Sequence, residues 1–134
     1  MRKYGLIIAA VALVASGCTG PDDPNLFRNR CRCRYSLEIA LPATQVHQQL
    51  AAAMLAWGWA ESGPIQRPFY EETQTGSLWV QVPDEPQING FVIDVEGKGD
   101  HSRIVVYAWN QFYADRIRAM IAKAFHSEIR TLGE

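Results

Sequence analysis

The chain has 134 residues, 48% of them hydrophobic and 20% charged, with a net charge of −1. Such a chain is too apolar to be disordered and too short for a two-lobed enzyme with a cleft between its lobes, so one small domain around one core is expected. No basic excess calls for nucleic acid, and no long acidic run suggests a solvating tail.

Met1-Arg2-Lys3 opens the chain with positive charge, Leu6 to Ala15 follows as an apolar run, and Ser16, Gly17 and Cys18 close it. A charged start, an apolar stretch and small exit residues are the three parts of a secretory signal. The run falls well short of the roughly 20 residues that span a bilayer core, so a permanent span is the weaker reading. The exit, Ala15-Ser16-Gly17-Cys18, resembles a bacterial lipobox, departing from it in Ala15 where that family prefers Leu. The resemblance implies a bacterial lipoprotein. Residues 1–17 would be the cleaved signal peptide, and Cys18 the mature N-terminus, carrying diacylglycerol and an N-acyl chain of the palmitate kind. Each buried CH₂ is worth about 0.8 kcal/mol; one chain holds a protein marginally, whereas several make release negligible. Thr19, not Asp, follows the cysteine. The resemblance then implies sorting to the outer membrane, facing the periplasm.

Residues 18–31 read as the lipidated N-terminus and a tether. Gly20, Pro21, Pro24 and their polar neighbours argue against a helix or a central strand over 19 to 30. A coil of that length reaches roughly 20 Å. Arg28, Arg30, Arg32 and Arg34 alternate, and an extended chain would project all four from one side. Two readings stand for them: contact with anionic headgroups at about 1 kcal/mol per charge, or a solvated strand edge whose charges discourage edge-to-edge pairing.

A single α+β domain is expected over 32–134. Cys33, Tyr35, Leu37, Ile39 and Leu41 alternate with Arg32, Arg34, Ser36, Glu38 and Ala40, which predicts a half-buried strand over 32 to 41, stopped by Pro42. Val46, Leu50, Ala53, Met54 and Trp57 recur at helical spacing, so 43 to 57 reads as a helix, with Thr44 a cap and Gly58 a left-handed stop. Trp59 then folds back onto the last turn. Pro64 and Pro68 interrupt the next segment, with something extended near Phe69 to Thr73. Leu78, Val80 and Val82 mark a strand, Pro83 to Pro86 a loop, and Phe91, Ile93 and Val95 the buried face of the next strand. Gly97 to Asp100 reads as a hairpin loop. Arg103 to Trp109 is apolar on both faces, as a central strand or a doubly covered one would be. A closing helix is predicted over 112 to 130.

The order is strand, helix, three or four strands, helix. Short connections between strands predict an antiparallel sheet with both helices on one face, an α+β two-layer sandwich. The layout is similar to small helix-grip domains, a form found in some lipoproteins of the outer-membrane assembly machinery. The likeness is one of layout and carries no residue motif.

The candidate chemistry is sparse. Cys31 and Cys33 would be free to pair in an oxidising compartment, where Cys18 is taken by lipid. Two residues apart on one strand face they stand nearly 7 Å apart, at the limit of a disulfide, so they read as a strained thiol pair or as two packed thiols. Asp94, Glu96, Asp100 and His101 gather at the expected hairpin, a carboxylate cluster or simply a solvated face. His47, His101 and His126 lack ligand spacing with the cysteines, and no metal or cofactor is expected. Trp79, Trp109 and Tyr107 fall opposite the clearest core positions and are candidates for a binding face, or for a second apolar layer. Trp57 and Met54 are candidates for lining a pocket between helix and sheet. No G-x-S-x-G, H-E-x-x-H or Gly-rich phosphate loop is present.

These features lead to one expectation and two alternatives. The first is a lipid-anchored envelope protein, not an enzyme, acting as a binding or assembly module on an envelope protein partner and held to membrane lipid through Cys18. The second is a small-ligand or lipid binder. The third is a periplasmic thiol protein using Cys31 and Cys33.

Overall fold

The structure, a computed structural model, describes residues 24–81 and 90–130. The signal, Cys18, Val82 and the expected loop at 83–86 lie outside the described residues.

The first element is a helix where coil is expected: α1, Pro24–Arg30. Pro24 stands at its first position, where a missing N–H costs nothing. Phe27, one turn on, is buried, and that tertiary anchor outweighs the weak intrinsic helicity of so short a segment.

The strand β1 (Cys33–Ile39) leads through Pro42 into α2 (Ala43–Ala56). Pro42 holds the N-cap position with no side-chain cap, so Thr44 does not serve as one. Gly58, at φ 81°, makes the expected left-handed stop. Trp59 then opens a short 3₁₀ turn and lays its ring edge-on to Phe91, with centroids 4.8 Å apart.

Next come β2 (Ile65–Gln66) and β3 (Phe69–Tyr70), two pieces of one edge interrupted at Arg67-Pro68. Both pair with β4 (Thr75–Val80). The strands β5 (Phe91–Gly97) and β6 (Ser102–Ala108) form the hairpin around Lys98 to His101. Helix α3 (Gln111–Phe125) is capped by Asn110, whose side chain accepts from the Tyr113 N–H at 3.0 Å.

The closing helix is shorter than the predicted 112 to 130. It stops at Phe125, which is fully buried. His126, at φ 43°, reverses the chain through a 3₁₀ turn, and β7 (Ile129–Arg130) pairs with the end of β1. Sheet pairing of Ile129 with Ile39 competes with a further five residues of helix and prevails.

Among the described residues the antiparallel sheet has seven strands and runs β2-β4-β5-β6-β1-β7, with β3 also on β4. As the two apolar faces of Arg103 to Trp109 suggest, β6 is central, between β5 and β1. Val46, Leu50 and Met54 from α2 and Ile117, Met120 and Ile121 from α3 pack on one face, over Leu37, Leu78, Ile93, Ile104 and Val106. The opposite face carries a smaller cluster, Phe27 and Val92 with Cys31, Trp79 and Tyr107 packed against them. The fold is therefore α+β, with α2 and α3 on one side of the sheet and α1 on the other. Among the described residues no helix is long and apolar enough to cross a membrane.

Candidate functional site

Three zones gather the chemistry-bearing residues. The first is a groove of about 560 Å³ between α2 and the interrupted edge, bordered by His47, Ala51, Leu55, Arg67, Phe69 and Glu71. Gly76 makes it. A Cβ there would stand 2.6 Å from the Phe69 ring, 2.8 Å from the Pro68 carbonyl and 3.0 Å from the His47 ring. Only a residue without a side chain lets Phe69 and His47 approach the strand this closely, their rings tilted at 44° with centroids 5.1 Å apart. The His47 Nε2 lies 3.1 Å from the Ser77 carbonyl, so Nε2 carries the proton and donates. Burial pushes the imidazole below its ordinary value of 6.5; the Ser77 and Pro68 carbonyls pull it back up, and Arg67 adds to the lowering. The ring is neutral at neutral pH, a packed side chain with one edge toward the groove.

The second zone is the outer face of the sheet. Trp79 and Tyr107 do share a face, as a binding platform requires, and Trp109 sits one residue past the end of β6. Helix α1 lies on them. Phe27 is 6.3 Å from the Trp109 ring. The guanidinium groups of Arg28 and Arg34 stand 5.8 and 5.4 Å from the Tyr107 centroid. Arg28 also grips Asp94 with two nitrogens, at 2.8 and 2.6 Å, and Ser77 donates to the same carboxylate at 2.8 Å. Asp94 is thereby a structural ligand of α1. The expected polar gathering at the hairpin is divided. Asp94 faces α1, Glu96 meets Lys98 at 3.6 Å on the surface, and His101 bridges Glu38 at 3.0 Å and Asp100 at 3.2 Å.

The third zone holds the cysteines, both free. They do not share a strand face. Cys31 precedes β1, packs into the outer cluster and directs its Sγ at the Arg28 carbonyl, 3.5 Å away. Burial pushes its thiol up, against the pull of Arg34. Cys33 opens β1 on the side of α3, its Sγ 3.6 Å from the Gln111 Oε1. That sulfur borders a cleft of about 340 Å³ between β1 and α3, with Arg32, Arg34, Tyr35 and Arg118 around it. Arg118 lies 4.0 Å over the Tyr35 ring, and burial raises the phenol, which donates to the Ala114 carbonyl at 3.3 Å.

Met54 is fully buried in the core. Trp57 packs beside the core, with the Arg116 guanidinium 5.7 Å from its ring and 5.3 Å from that of Trp59. Neither borders the groove. His47 and Phe69 do, and sequence reasoning passed over them. The available signal was Gly76, an isolated glycine inside a strand pattern, which marks a close approach to the backbone. Among the described residues no group of three or more His, Cys, Asp or Glu is placed to hold a metal ion.

No family model matches this chain, and it matches no curated protein. The functional reading rests on its own residues.

Proposed function

We propose that this chain is a lipid-anchored cell-envelope protein, held through an acylated Cys18 with its folded part in the periplasm, and that this part binds an envelope partner without transforming it. The observation that supports non-catalytic binding is where the polar groups are engaged. Arg28 and Ser77 take Asp94, His101 takes Glu38, and His47 is turned to a backbone carbonyl. Asp94, Glu38 and His47 are thus bound into the fold, while the groove beside α2 and the cleft beside β1 stay open. The anchor is supported by the sequence Ala15-Ser16-Gly17-Cys18 behind a charged start and an apolar run.

A second reading, a small-ligand or lipid binder, is favoured by the groove itself. Its volume falls within the roughly 300–1,000 Å³ of ligand pockets, although its lining is not the expected Trp57 and Met54.

Mass spectrometry of the protein from membranes tests the anchor. The expected N-terminus is an acylated Cys18, and Cys18→Ser should block both acylation and cleavage. An unacylated terminus, or a chain still beginning at Met1, overturns it. Crosslinking in intact envelopes then divides the two readings: a captured protein partner supports the module, and capture of none gives the groove to a small ligand.

A further inference from the structure

One end of the described structure combines exposed aromatic rings with a cluster of exposed arginines. Phe112 is 64% exposed and Trp109 37%. They flank the start of α3, beside the segment that joins α1 to β1. Phe27 touches Trp109 there, and the Arg32 N–H donates to the Ala108 carbonyl at 3.2 Å. At the end of α1, on that segment and at the start of β1, Arg30, Arg32 and Arg34 are exposed. Arg32, Arg34 and Arg118 also border the cleft between β1 and α3. Asp115, exposed on α3, accepts from Gln111 at 2.8 Å. Leu55 is exposed as well, but in a groove of mixed sign, between Arg67 and Glu71.

We propose that this end seats on an anionic phospholipid surface, with Trp109 and Phe112 entering the headgroup layer and the β1–α3 cleft receiving a headgroup phosphate. The inference rests on the anchored reading above and adds an orientation to it. Trp is favoured where one end of a site is apolar and the other wet, and arginine binds phosphate through a planar fork. The chain length agrees. Five residues lie between Cys18 and Pro24. Fully extended they cover under about 20 Å, and the seven residues of α1 add about 10 Å. The patch is therefore within about 30 Å of the acylated sulfur. An anchored body with so short a tether meets the bilayer at this end or near it. The arrangement also accounts for arginines on an otherwise acidic chain: a Debye length of about 8 Å lets them act only on a surface they nearly touch.

The test uses the full acylated chain in vesicles of phosphatidylcholine alone and of phosphatidylcholine mixed equally with phosphatidylglycerol, with bromine on the acyl chains as a fluorescence quencher. Tryptophan emission should be quenched in the mixed vesicles, and Trp109→Phe should remove most of the quenched fraction, leaving the emission of Trp57, Trp59 and Trp79. Replacing Arg30, Arg32 and Arg34 by Gln should weaken seating by about five-fold per charge and erase the difference between the two lipids. Unquenched emission from an acylated protein, or quenching that Trp109→Phe leaves unchanged, overturns the proposal. So does binding of an acidic peptide in the cleft with Trp109 unquenched, which gives the surface to a protein. A preparation found without acyl chains that still shows Trp109 quenched keeps the seating and removes the anchor; one that is neither acylated nor quenched removes both.

Discussion

The two faces of the sheet solve the same burial problem differently. On the α2 and α3 side, large side chains such as Phe91, Phe125, Leu50 and Met54 interlock with no exposure at all. On the α1 side, Phe27 and Val92 are the buried pair, and Trp79, Tyr107 and Cys31 complete a thin layer. There the ion pair of Arg28 with Asp94 supplements apolar contact. A partly exposed pair of this kind contributes on the order of 1 kcal/mol, strengthened by its bidentate geometry and weakened by salt. One face is therefore the core that decides whether the chain folds. The other is a cover whose removal should leave the rest standing, and the cover is the element nearest the proposed anchor.

Truncation separates the faces most strongly. Phe91→Ala empties a fully buried site under Trp59 and should cost about 3–5 kcal/mol, enough to threaten folding outright. Phe27→Ala should cost less, about 1–3 kcal/mol. Urea unfolding gives both numbers. Amide exchange should show residues 24–31 opening in the second variant while β5 and β6 stay protected. Equal costs, or loss of protection across the whole sheet in Phe27→Ala, would show that α1 belongs to the core.

The groove offers a finer test of the helical face. Gly76→Ala places a methyl against the Phe69 ring and the Pro68 carbonyl, and a backbone carbonyl cannot swing aside. Overpacking of this kind costs about 1–3 kcal/mol. The strand pairing of β3 on β4 should loosen first, since Phe69 faces Gly76 directly. Exchange at Phe69 and Tyr70 measures it. Protection unchanged there, with stability intact, would mean that the edge yields freely and that the glycine is not what shapes the groove.

How much of this was legible in the sequence follows from what sets each element. The alternation in 33 to 39 and 91 to 97 fixed those strands because one face of each meets the helices. The residues Val46, Leu50 and Met54 fixed α2 for the same reason. Helix α1 was not legible. Its seven residues carry one buried side chain, and periodicity has nothing to read in a single anchor. The end of α3 was missed because β7 owes its existence to pairing with Glu38 and Ile39, ninety residues earlier in the chain, and no local pattern reports that. The shared face expected for Cys31 and Cys33 requires extended backbone through both, whereas the strand starts only at Cys33 and Cys31 lies just past the end of α1. Trp79 and Tyr107 were legible as sharing a face, but not the helix lying over them.

The smallest effect comes from His47 and bears on the difference between a packed histidine and a working one. Its folded value lies below 6.5, chiefly because burial penalises the charged ring. The unfolded chain therefore binds a proton that the folded chain refuses, and stability must rise with pH in that window. The His47 contribution is complete above about pH 6.5 and is lost progressively as pH falls from there toward the lowered folded value. His47→Gln should flatten this part of the stability profile while leaving the region above it parallel to the parent, and chemical unfolding at a series of pH values measures both. The opposite slope, stability gained on acidification and removed by the substitution, would mean that the ring is held charged between the Ser77 and Pro68 carbonyls. In that case the groove would present a cation to whatever enters it, and a ligand bearing negative charge would become the better guess for its occupant.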